Sequence, residues 1–264
     1  SVYNQATSIN ADRDNSGDYT VEFAERYQPD LTMDRDTDDF GRPSYTWAWK
    51  NRDIGTYVDY SLMVAEYTTG VSGRELYNVL TASTIRNADL DVYVDGVEPD
   101  EADTIDKSDL SRSNQDDVGV TDNGVLTQVF VDTDANDGDG LITIASINTW
   151  LAKATADYSE SKEYAPLSVY TGIGTTKTYN VDVEDVANVT DVAKDTFYQV
   201  NISKKDNTNG EVVILKDVEV LEDSTVTKFS SSDEGKGTGK VTKLTTGGEE
   251  YKANVKAFYD KDVL

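Results

Sequence analysis

Short runs rich in tyrosine, threonine and valine, separated by clusters of Asp, Asn, Ser and Gly, fill most of this chain. This pattern constrains the fold more than any other feature. Short strands at regular spacing with turn residues between them close into a sandwich or a small barrel, not a helical bundle. Strand-like runs cover 18–23, 45–50 and 55–67 in the first part of the chain. In the second part they cover 125–131, 141–147, 211–221 and 224–229. The stretch 239–259 reads as a hairpin turning at Gly247 and Gly248, and Asp122-Asn123-Gly124 marks another tight turn. Leu90 to Gly96 is a strand ending in an Asp-Gly turn.

One stretch departs from the pattern. Between Ser72 and Ser83, Leu76, Val79 and Leu80 recur at helical spacing, with Ser72 or Gly73 placed to cap the start. The expected class is therefore mainly β, with α+β character near the N-terminus.

Charge is distributed unevenly. All eight arginines fall between Arg13 and Arg112, whereas fourteen of the sixteen lysines lie from Lys153 onward. The polar, apolar-poor segment Asp106–Asp117 sits between these regions and reads as a linker. It predicts a mixed, β-rich domain over 1–112 with one helix, and all-β modules over 113–264. The ending DKDVL reads as a cut from something longer.

The net charge of −26 repels nucleic-acid phosphates and anionic membranes, and no basic stripe offsets it. It fits an acidic, extracellular surface that attracts cations. The chain has neither cysteine nor histidine. That excludes disulfides, Ser-His-Asp and Cys-His catalysis, and the ordinary zinc sites. Only oxygen ligands remain for a metal, which points to calcium or magnesium. No apolar run is long enough to insert into a membrane, and Ser1–Asn10 has none of the parts of a signal peptide, so secretion would require one already removed. The faint GIGTTK of 172–177 lacks phosphate-loop spacing.

Three acidic loops are candidates for calcium. In the first, Asp12, Asp14 and Ser16 alternate, Gly17 supplies a sharp turn, Asp18 offers its carbonyl, and Tyr19 takes the apolar position. Phe23 stands where a bidentate Glu closes an EF-hand, so the loop departs from that pattern. In the second, Asp132–Gly140, two frames compete: Asp132, Asp134 and Asn136, or Asp134, Asn136 and Asp139 followed by Gly140. In the third, Asp34, Asp36 and Asp38 alternate beside Arg35 and Arg42. Each loop has a second reading as a solvated turn, in which Asp and Asn supply turn geometry and block edge pairing.

Trp47 and Trp49 share one face of a strand, with Tyr57, Tyr60 and Tyr67 following. Aromatic rings in this arrangement either fill a sheet core or stack on sugar rings. A reaction run by two carboxylates needs no histidine, but with fifty acidic residues some pair always lies close, so no enzyme is expected on this ground.

Three longer stretches, 118–134, 147–170 and 179–206, resemble modules of large surface proteins of gut Firmicutes that carry S-layer homology (SLH) domains. The stretch 55–80 resembles a segment upstream of those modules. The resemblance implies an extracellular, cell-wall-associated protein built of repeated β modules, serving a structural or adhesive role toward other surface modules or cell-wall and host glycans. It supplies no catalytic residues, and neither the SLH anchor itself nor an LPxTG sortase signal is recognisable here.

Overall fold

The computed structural model describes residues 31–100, 103–221, 224–231 and 241–258. The strand expected over 18–23 and the loop beginning at Asp12 lie outside the described residues. Within them the protein is mainly β, arranged in four sheets.

The first sheet is an antiparallel meander of β1 (Leu31–Thr37), β2 (Pro43–Trp49) and β3 (Arg52–Val58). The single strand expected over 55–67 is broken. A 3-10 turn at Tyr60–Leu62 interrupts it, because the buried Asp59 carboxylate accepts the Ser61 N–H (3.1 Å) and Oγ–H (2.5 Å). The chain then re-enters as β4 (Met63–Tyr67) in a different sheet.

That second sheet has the order β4-β6-β7-β5, with β5 (Asp89–Val94), β6 (Leu126–Asp132) and β7 (Leu141–Ile147). β5 and β7 pair in parallel, while the other neighbours are antiparallel. Helices α1 (Gly73–Leu80) and α2 (Ala82–Asn87) carry the chain from β4 at one edge of the sheet to β5 at the other, so that β5 enters alongside β7 in the parallel sense. The start of α1 is a capping box. Ser72 Oγ accepts the Glu75 N–H, and the Glu75 carboxylate accepts the Ser72 N–H at 2.8 Å. Leu76 and Leu80, on the buried face of α1, pack with Ile85, Val92, Val129, Ile142 and Ile144.

The opposite face of this sheet is also covered. Gln128, Ala145 and Tyr93 lie in one row across it. The β1–β2 loop lies on this row: Gly41 approaches the Tyr93 ring so closely that a Cβ there would fall 2.2 Å from Cγ, and Arg42 donates to Gln128 Oε1 at 3.1 Å. Phe40 in this loop is 1 % exposed. Coverage on both faces explains why β6 and β7 read as nearly continuous apolar runs.

The third sheet is antiparallel, in the order β10-β9-β8-β11-β12. Its strands are β8 (Trp150–Ala154), β9 (Tyr164–Gly172), β10 (Thr175–Asp182), β11 (Phe197–Ser203) and β12 (Glu211–Asp217). It curls into half a barrel, and its outer strands come together where Tyr179 on β10 donates to the Asn209 carbonyl just before β12 (3.2 Å). Ala152, Ala154 and Ala165 are fully buried beside Leu167, Val169 and Val200, and Val189 from a 3-10 turn enters the same core. Small residues suit the tight concave side of a curled sheet.

A last small antiparallel sheet holds β13 (Val226–Ser231), β14 (Val241–Thr246) and β15 (Glu249–Lys252). Gly247 (φ 58°) and Gly248 (φ 86°) form the turn between β14 and β15, as expected.

The expected boundary at 112 is corrected by this topology. β4 and β5 precede it, β6 and β7 follow it, and all four share one sheet and one core. The polar segment 106–117 is an ordered loop on α1: Arg74 N–H donates to Asn114 O (2.8 Å) and Val118 N–H to Val71 O (3.0 Å). Its polarity reflects its position on the surface, not a break between cores.

Candidate functional site

Two of the three acidic loops fall among the described residues, and both use their carboxylates on themselves. In the β6–β7 loop, Asp132 accepts the Asp134 N–H at 3.0 Å. Asn136 donates through Nδ2 to Asp89 (2.9 Å) and to the Gly140 carbonyl (3.3 Å). Asn136, Asp137, Gly138 and Gly140 all have positive φ, a run that Asn, Asp and Gly tolerate best. Asp134, Asp137 and Asp139 face solvent. In the β1–β2 loop, Asp38 accepts the N–H groups of Phe40 (3.0 Å) and Arg42 (2.9 Å) and pairs with the Arg42 guanidinium at 2.6 Å. Asp36 accepts the Thr37 N–H, and Asp34 is exposed. Among the described residues no three acidic groups converge as metal ligands would. Asp12, Asp14, Ser16 and Asp18 lie outside them.

The aromatic pair divides. Trp47 is 9 % exposed and packs with Leu31, Met33 and Tyr45, so it belongs to the small core of the first sheet and is not a ligand contact. Trp49, two residues on, is 47 % exposed, with Lys50 Nζ 4.9 Å from its ring centre. Tyr57 is 54 % exposed and lies across from Tyr45, their ring centres 5.8 Å apart.

Sequence reasoning missed a buried polar junction between the second and third sheets. β7 runs into β8 through only Asn148 and Thr149. Asp95, at the end of β5, is 2 % exposed and accepts both the Asn148 N–H (2.8 Å) and its Nδ2–H (2.9 Å). Its main chain bridges the same gap: its N–H donates to Ser146 O (2.9 Å), and its carbonyl accepts the Lys204 N–H (2.8 Å) from the end of β11. Asn201 on β11 donates to Asn148 O and Thr149 Oγ1 at 2.9 and 3.0 Å. Asn254 donates to Thr149 O at 3.1 Å. The Ser203 hydroxyl donates to Asp39 O at 2.6 Å, tying the β1–β2 loop to the third sheet. Burial pushes the Asp95 carboxyl above the usual carboxylate range, and the Asn148 donors, Lys204 and Lys256 oppose that shift. The only sequence signal was the Asp-Gly turn at the end of β5. Such a turn does not disclose that its carboxylate points inward.

A groove of about 490 Å³ runs along the outer edge of β5, with Asp91 and Glu98 among its lining residues. Burial, then Glu98 and Asp89, raise the Asp91 carboxyl.

The fold and these sites define a mainly β protein whose neighbouring sheets are fastened by buried side chains. Comparison with protein-family models, characterised proteins and solved structures gives no match.

Proposed function

We propose that this chain is a non-catalytic structural or adhesive ectodomain module of a Gram-positive, S-layer-associated cell-surface protein, working outside the cell and attached to its wall. The observation that supports this reading best is the Asp95–Asn148–Asn201 junction. A two-residue link, cross-braced by buried hydrogen bonds, holds the second and third sheets in one orientation. A displayed module needs to transmit position and load without a hinge, and a satisfied buried polar network provides that stiffness. The acidic surface keeps such a module soluble and apart from its neighbours. Of the three acidic loops, this reading keeps the one beginning at Asp12 as the calcium candidate, since the other two use carboxylates on their own backbone and on Arg42.

Protease shaving of intact source cells tests the location. Peptides from 31–258 are expected in the shaved fraction, and their confinement to the lysate would overturn the proposal. Small-angle scattering of the purified chain tests the stiffness, with one compact conformation expected for the two sheets joined at Asn148.

A further inference from the structure

We propose that Tyr57 and Trp49, the two exposed rings on the Trp47 face of the first sheet, form a stacking shelf for an uncharged glycan chain, with Gly55 as the residue that lays Tyr57 flat. This inference rests on the adhesive reading above and names the partner class. On this face Tyr57 pairs with Tyr45, Gly55 with Trp47, and Arg52 with Trp49. Gly55 stands where an alternating strand would put a side chain between the two rings. A Cβ at that position would fall 2.7 Å from Tyr57 Oη and 2.9 Å from Cε2 and Cζ. The outer edge of the Tyr57 ring therefore rests against the Gly55 α-carbon instead of standing off the sheet. The backbone does not require glycine there, because φ lies outside the left-handed region. The space is what matters. Trp47 occupies the same face in the row of Gly55, Tyr45 supports one side of the Tyr57 ring, and that ring remains 54 % exposed.

Trp49 continues the shelf two positions along β2 from Trp47, about 7 Å by strand rise. Arg52, exposed and opposite Trp49, offers hydrogen-bond donors at the rim. Rigid rings presenting apolar faces, with polar groups at the edge, fit the C–H faces and hydroxyl rim of a hexopyranose. The charge of the chain selects among glycans: at −26 it repels uronate, sialate and phosphate polymers. A neutral chain is the occupant these observations favour.

The test uses the full chain with cellohexaose, mannohexaose and chitohexaose as probes and polygalacturonate as the charged control. Tryptophan fluorescence and calorimetry report binding. At least one neutral hexamer is expected to bind. Tyr57→Ala and Trp49→Ala should each weaken it at least tenfold. Gly55→Ala should weaken it comparably while leaving Tm unchanged, because the atoms nearest its methyl belong to a side-chain ring that can lift away. The proposal is overturned if no neutral hexamer binds, if Gly55→Ala and Tyr57→Ala bind like wild type, or if polygalacturonate binds as tightly. It is also overturned if light scattering shows a concentration-dependent dimer that Tyr57→Ala dissolves, since the face would then be an interface between copies. None of these results bears on the surface location or the stiff junction, which the shaving and scattering experiments test separately.

Discussion

Replacing Asp95 by alanine removes the acceptor for two buried donors of Asn148, at 2.8 and 2.9 Å. A buried donor left unsatisfied costs roughly 1–3 kcal/mol, so the pair costs about 2–6 kcal/mol. Two corrections apply. Removing a carboxylate that burial disfavours returns part of this loss, and placing alanine at φ 50° adds roughly 1 kcal/mol relative to aspartate. The net expectation is a loss of about 3 kcal/mol. In a protein of this size that lowers Tm by roughly 6–12 °C. Urea unfolding followed by tryptophan fluorescence measures it well, because Trp150 begins the strand just after the junction. Asp95→Asn is the matched control. It tolerates positive φ and keeps an acceptor for the Asn148 N–H, and the Asn148 amide can turn its oxygen toward the new NH2. A cost within about 1 kcal/mol is expected, as for a neutral hydrogen bond replacing a charged one. If Asp95→Ala unfolds within about 0.5 kcal/mol of wild type, a typical exposed-surface effect, the carboxylate does not brace the two sheets and the reasoning fails.

Four further outcomes follow from the same structure. Because the Asp95 pKa is raised in the fold, its contribution is fully present below the unfolded value of 3.8 and is lost as pH rises through the raised value. Asp95→Asn should therefore gain stability relative to wild type between pH 4 and pH 7, and an identical pH profile for the two proteins would contradict this. Ser72→Ala, which breaks the capping box of α1, should cost about 1 kcal/mol in urea unfolding. Phe40→Ala should cost roughly 3–5 kcal/mol, since Phe40 is buried in the loop that covers one face of the second sheet. Asp134→Ala should leave unchanged any difference in Tm between EDTA and added calcium, because Asp134 faces solvent and no three acidic groups converge near it among the described residues. Asp12→Ala examines the remaining loop in the same assay.

Local features of this protein were legible in its sequence. The Gly247-Gly248 turn, the cap at Ser72 and the strand at 141–147 depend on residues within a few positions of one another, and chain stiffness and side-chain period determine them wherever the segment ends up. The Asx-rich loop at 132–140 belongs with them, since its Asp and Asn side chains satisfy nearby backbone groups. Tertiary structure decided the rest. Alternation put Trp47 and Trp49 on one face but did not say that Leu31 and Met33 would bury one and leave the other exposed. The Asp106–Asp117 segment has linker composition, yet pairing of strands from both sides placed it on a shared core. Asp95 looked like any turn residue until β7 and β11 converged on it. Strand partners and burial are set by contacts between residues far apart in the chain, and those contacts form only when the sheets come together.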